Sequence, residues 1–114
     1  MAETLTMTLY LYRLFPPRPK TFAADRTRSE ALVMTEHAGY WQNLAARAKV
    51  VVFGPVADPE GVFGIAVICA EDGEEITSVC DNDPAIKSAM GFTYKLHLMP
   101  QFGVSSKLIP GTQR

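Results

Sequence analysis

His37 is the residue in this chain whose type and place point to chemistry. Val33, His37, Trp41, Leu44 and Ala48 recur at helical spacing, so the imidazole falls on the inward stripe of a helix. A titratable ring among apolar neighbours needs a partner, because a buried polar group without a hydrogen bond is costly. Two roles remain open for it. It can be a core histidine satisfied by a backbone carbonyl. It can also be a general acid or base, if a carboxylate meets one ring nitrogen, sets the tautomer and leaves the other nitrogen basic. Tyr40 lies less than a turn further on, either presenting its hydroxyl to the same pocket as a substrate-binding group or packing as core. Trp41 reads as core outright.

The elements that would position these groups are legible from local pattern. From Thr4 to Phe15, Leu5, Met7, Leu9 and Leu11 alternate with threonine and tyrosine, the period of a strand, and Tyr10 and Tyr12 make its second face apolar too. Prolines 16, 17 and 19 then open a loop. Thr27, Arg28, Ser29, Glu30 has the spacing of a capping box, which starts the His37 helix and predicts its run to about Ala48. Val50 to Phe53 and Val62 to Cys69 are apolar blocks expected to be buried on two sides. Asp58, Pro59, Glu60, Gly61 between them has the residues of a tight turn, so the two blocks form a hairpin. Asp58 can reach a pocket as a substrate-binding residue, or simply close that turn.

A second, weaker helix is predicted over Gly73 to Asp81, with Asp72 as its cap and Glu75 as the reciprocal partner. Asp83, Pro84, Ala85, Ile86 is another helical start, aspartate at the cap and proline in the first turn. Thr93 to Met99 alternates as a last strand, with His97 on a face expected to meet a partner, and Pro100 ends it. Residues 1–100 therefore read as one domain and 101–114 as a tail.

Composition limits the function classes. A chain of 114 residues supports one modest core, and 47% hydrophobic with 20% charged residues is ordinary for a globular protein. Eleven basic and twelve acidic residues, a formal net charge of -1, argue against nucleic-acid binding through bulk electrostatics. Arg13, Arg18, Lys20, Arg26 and Arg28 form a basic stretch that either receives an anionic substrate or is solvated loop. No apolar run reaches membrane-spanning length, and no leader pattern precedes the first strand. Cys69 and Cys80 are read as buried free thiols of a cytoplasmic protein, and two distant histidines give metal binding no support. Nucleophile elbows, phosphate-cradling loops and dinucleotide fingerprints are absent, so no cofactor is expected.

The order strand, helix, strand, strand, helix, strand is that of the ferredoxin-like α+β fold, a four-stranded antiparallel sheet with its helices on one face. The other face, assigned Tyr10, Tyr12, Val51 and Phe53, is too apolar to be left in water. A homodimer of the dimeric α+β barrel type, sheet against sheet, would cover it.

Thr35 to Trp41 (TEHAGYW), Val50 to Val56 (VVVFGPV), Asp58 to Val67 (DPEGVFGIAV), Asp83 to Ile86 (DPAI) and Gly91 to His97 (GFTYKLH) together resemble the YCII-related (YciI-like) family. The resemblance implies a ferredoxin-like dimer, and a catalytic dyad made of a histidine on the first helix and the aspartate before proline. Those positions are His37 and Asp83 here. A few relatives in that family act on chlorinated or hydroxylated ring-cleavage products, and most have no known substrate. The proline-rich loop from Pro16 to Asp25, the weak second helix and the tail depart from the family's usual look, so a relative's substrate does not transfer. From local spacing alone Asp83 is an N-cap, a duty compatible with orienting a histidine.

Two functional classes follow. One is a cofactor-independent enzyme in which His37 exchanges protons and Asp83 orients it, acting on a small organic metabolite by isomerisation, elimination or hydrolysis. The other is a non-catalytic small-ligand binding or accessory dimer.

Overall fold

A computed structural model describes residues 7–105. The expected strand start at Thr4 and the tail from residue 106 onward lie outside the described residues. Four strands, β1 (Thr8–Phe15), β2 (Val50–Val56), β3 (Phe63–Ala70) and β4 (Thr93–Met99), form one antiparallel sheet in the order β2-β3-β1-β4. The long helix α2 (Arg28–Ala46) lies across one face, with α3 (Ile76–Asp81) and the one-turn α4 (Pro84–Lys87) beside it. This is the ferredoxin-like arrangement that the element order predicts.

Local signals account for most of the boundaries. The capping box closes as expected: the Thr27 hydroxyl accepts from the Glu30 amide at 3.1 Å, and the Glu30 carboxylate accepts from the Thr27 amide at 2.9 Å. Arg18 adds a forked pair to the same carboxylate at 2.7 and 3.2 Å, which ties the proline-rich loop to the start of α2. That tie, foremost, brings the Glu30 carboxyl down to about 2. The helix ends earlier than its apolar stripe suggests. Ala48 sits at φ 60, donating to Ala45 O while Lys49 donates to Leu44 O, a Schellman closure that turns Ala48 out of the stripe.

The β2–β3 turn forms at Asp58–Gly61, where the Gly61 amide donates to Asp58 O at 2.9 Å. Gly61 has φ 146, and a Cβ there would lie 2.9 Å from Pro19 Cβ. Only glycine lets the loop prolines press onto the hairpin.

Three expectations are corrected. The loop after β1 contains a further helical turn, α1 (Phe22–Asp25), whose Phe22 is buried against Phe92. The second helix starts at Ile76 and not at Gly73. Gly73 takes a left-handed φ of 75, the Glu74 carboxylate is bound by Lys49 and the Glu71 amide, and Glu75 precedes the helix without a side-chain cap.

The third correction concerns the two faces of the sheet. Tyr12 is buried in the core beneath the helices, and Tyr10 and Phe53 pack against that core. A register shift between Val50 and Val52 inserts one residue into β2, so Val50 and Phe53, three apart, both face the helices. The open face is therefore made by the other parity: Leu11, Phe15, Ile65, Val67 and Val52, with Arg13, Lys95 and His97 among them. Nor is β2 buried on both sides. It is an edge strand, and Val51 and Val52 are exposed.

Candidate active site

Asp83 is the hub of the site. It caps α4 in the way Asp-Pro predicts, its Oδ1 accepting from the Ala85 amide at 2.9 Å. Because α4 packs against α2, that cap is carried into the interior, where the carboxylate is fully buried. Oδ2 accepts from the Tyr12 hydroxyl at 2.7 Å and from Trp41 Nε1 at 2.8 Å. His37 Nδ1 lies 2.9 Å from both oxygens. Four donors thus converge on one carboxylate from β1, α2 and α4.

Burial by itself would raise the Asp83 carboxyl. The hydrogen bond and charge of His37, helped by Trp41 and Tyr12, outweigh it and bring the group below the ordinary carboxylate value. An ionised carboxylate only accepts, so the proton at this contact belongs to His37 Nδ1. In the neutral ring the lone pair then sits on Nε2, the nitrogen not engaged by Asp83. Burial first, and then the Asp83 charge, push the Tyr12 hydroxyl far above its usual range, so Tyr12 stays a donor. Its ring packs at a tilt of 35° on Trp41 with centroids 4.8 Å apart, and His37 meets the Trp41 ring edge-on.

His37 reaches an open-mouthed cavity of about 320 Å³ bounded by the sheet end, the loop after β1, and α2. Leu14, Phe22, Met34, Phe53 and Phe92 make its apolar wall, Gly54 and Gly64 leave room on the sheet, and Arg26 stands at its edge. A volume near the lower end of ligand pockets, almost wholly apolar with a few polar groups, suits a small organic molecule. Among the described residues no group of three or more His, Cys, Asp or Glu could hold a metal ion.

The other predicted site residues do not join this cavity. Tyr40 donates its hydroxyl to Val79 O at 2.7 Å and lines a separate polar depression with Arg47, Lys49 and Glu74. It turns away because α3 offers it a carbonyl on the far flank of α2. Asp58 closes its own turn, its carboxylate accepting from the Glu60 amide at 2.8 Å. His97, expected not in the site but on the face that meets a partner, faces outward on β4 with Leu11 and Arg13. Conversely, the donors Tyr12 and Trp41 were legible only as apolar positions.

Residues 12–99 match the YCII-related domain family, a span that runs from the second half of β1 to the end of β4 and includes both members of the His37–Asp83 pair. The chain belongs to the YCII-related family. No curated protein and no solved structure matches it. In this YCII-related chain, no helix among the described residues is long and apolar enough to cross a membrane.

Proposed function

We propose that this YCII-related protein is a cofactor-independent acid–base catalyst in which Asp83 orients His37 and Nε2 of His37 takes and returns a proton on a small organic molecule. The observation that carries this is one ring with two environments: Nδ1 held 2.9 Å from a buried carboxylate, and the same ring lining an apolar cavity. Water-poor walls strengthen the interaction of the ring with any charge that develops on a substrate. Isomerisation, elimination and hydrolysis all begin with the transfer such a nitrogen performs. Incubation with small carbonyl compounds and lactones in D₂O tests this. Proton NMR should show exchange or conversion with the wild type and none with His37→Ala, whereas equal behaviour of the two proteins across the set would overturn the proposal.

We also propose a homodimer formed through the open face of the sheet. Support comes from the apolar side chains that this face presents, Val52 among them at 49% exposure. Sedimentation at micromolar concentration should give twice the chain mass, and Ile65→Glu should give a monomer. A monomeric wild type ends this proposal. Two free cysteines, Cys69 and Cys80, fit a reducing, cytoplasmic setting.

A further inference from the structure

Among the described residues the cavity beside His37 is lined by one arginine, Arg26, and no carboxylate forms an ion pair with it. Arg18, eight residues before Arg26, is held by Asp25 and Glu30 in ion pairs of 3.1 and 2.7 Å. Arg26 makes a single hydrogen bond, to the Ala23 carbonyl at 3.1 Å, and among the described residues no carboxylate pairs with it. Among the described residues no acidic side chain lines the cavity. Arg26 is also well anchored: it is the C-cap of α1, its amide bound to Phe22 O at 2.9 Å, and the capped start of α2 follows directly. The remaining guanidinium donors form a planar fork suited to a carboxylate.

We infer that the ligand of this site is a small monocarboxylate with a flat apolar body, its carboxylate held by Arg26 at the mouth and its body lying among Phe22, Phe53 and Phe92 beside His37. The inference rests on the acid–base reading of His37 for what happens next, but not for binding. A neutral body of the same shape would leave the guanidinium unanswered, and a cation would be repelled by it. A bare small anion would leave the aromatic wall in contact with water. A volume of about 320 Å³ holds a one-ring molecule and excludes much larger ones.

The test uses phenylacetate, its neutral amide phenylacetamide, and acetate as probes of the 114-residue chain, followed by calorimetry and by the NMR signals of the His37 ring. Phenylacetate should bind saturably and at least tenfold more tightly than phenylacetamide, with acetate weaker than both. Arg26→Gln, an exposed position with no role in the core, should erase the preference for the acid. Gly64→Val should abolish binding of all three, since an added Cβ meets only Gly54 O and Leu14 Cβ at 3.9 Å and the rest of the side chain fills the cavity. Ala38→Leu fills the same cavity from the helix side should the strand variant not fold. Equal affinity for acid and amide, an unchanged preference in Arg26→Gln, or no saturable binding of phenylacetate would overturn the inference. Failure here with His37-dependent deuterium exchange intact removes the ligand class and leaves the catalytic reading. Binding without exchange of any substrate does the reverse.

Discussion

Asp83→Asn is the substitution that reads most directly on the site. It keeps size and shape, and asparagine is as good an N-cap as aspartate. What it cannot keep is four acceptor contacts, because one carboxylate oxygen becomes an amide donor. If the amide nitrogen replaces Oδ2, it faces Trp41 Nε1, which is a donor only and loses its 2.8 Å partner. If it replaces Oδ1, the Ala85 amide loses the cap at 2.9 Å. A buried donor left unsatisfied costs about 1–3 kcal/mol, and the surviving bonds drop from charge-assisted to neutral strength, about 1 kcal/mol each. Relief of the carboxylate's own desolvation offsets part of this. The net loss should be about 2–4 kcal/mol, or about 8–16 °C in Tm at roughly 4 °C per kcal/mol for a domain of this size. Trp41 is the sole tryptophan and touches the substituted group, so urea unfolding followed by its fluorescence reports on the site itself. Nitrogen-15 NMR of His37 should show the Nδ1-protonated tautomer giving way to a mixture. A loss below about 0.5 kcal/mol with an unchanged tautomer would refute Asp83 as the hub.

Three further outcomes are expected. Tyr12→Phe removes one donor from a buried carboxylate and should cost about 1.5–3 kcal/mol in urea unfolding, with the circular dichroism unchanged; a neutral substitution would mean that the 2.7 Å bond contributes nothing. Glu30 has a folded-state pKa depressed to about 2, so its contribution is full above the unfolded value of about 4.3 and is lost as pH falls towards 2. Glu30→Gln should therefore be less stable than wild type at pH 6 and converge with it near pH 2, and parallel acid-unfolding curves would contradict the Arg18–Glu30 tie. Ala48→Gly should stabilise by about 0.5–1 kcal/mol, because alanine is strained at φ 60 where a Schellman closure favours glycine, and a lower thermal midpoint would show that strain to be absent.

The order of the elements, the Thr27–Glu30 capping box, the Asp58–Gly61 turn and the Asp83–Pro84 helix start were all readable in the chain, because each depends on residues a few positions apart. The start of α3 was misread because the Glu74 carboxylate is held by Lys49, a residue 25 positions away that precedes β2 and lies beside the end of β3. On β2 the faces were misassigned because one inserted residue reverses the alternation, and on β1, whose register is unbroken, because both faces carry apolar side chains and local pattern does not say which one meets the helices.

In the site the same division holds. His37 as a polar group on an apolar stripe, and Asp83 as a cap, are local facts of sequence, and family resemblance paired them before any distance was known. That Tyr12 comes from 71 residues away to meet Asp83, that Trp41 spends its N–H there, and that Tyr40 turns its hydroxyl to Val79 depend on how α2 settles on the sheet beside α3 and α4. Sequence determined which groups had polar ends to satisfy. Tertiary packing decided which partner each one found, because a buried donor bonds whatever acceptor the fold brings within 3 Å.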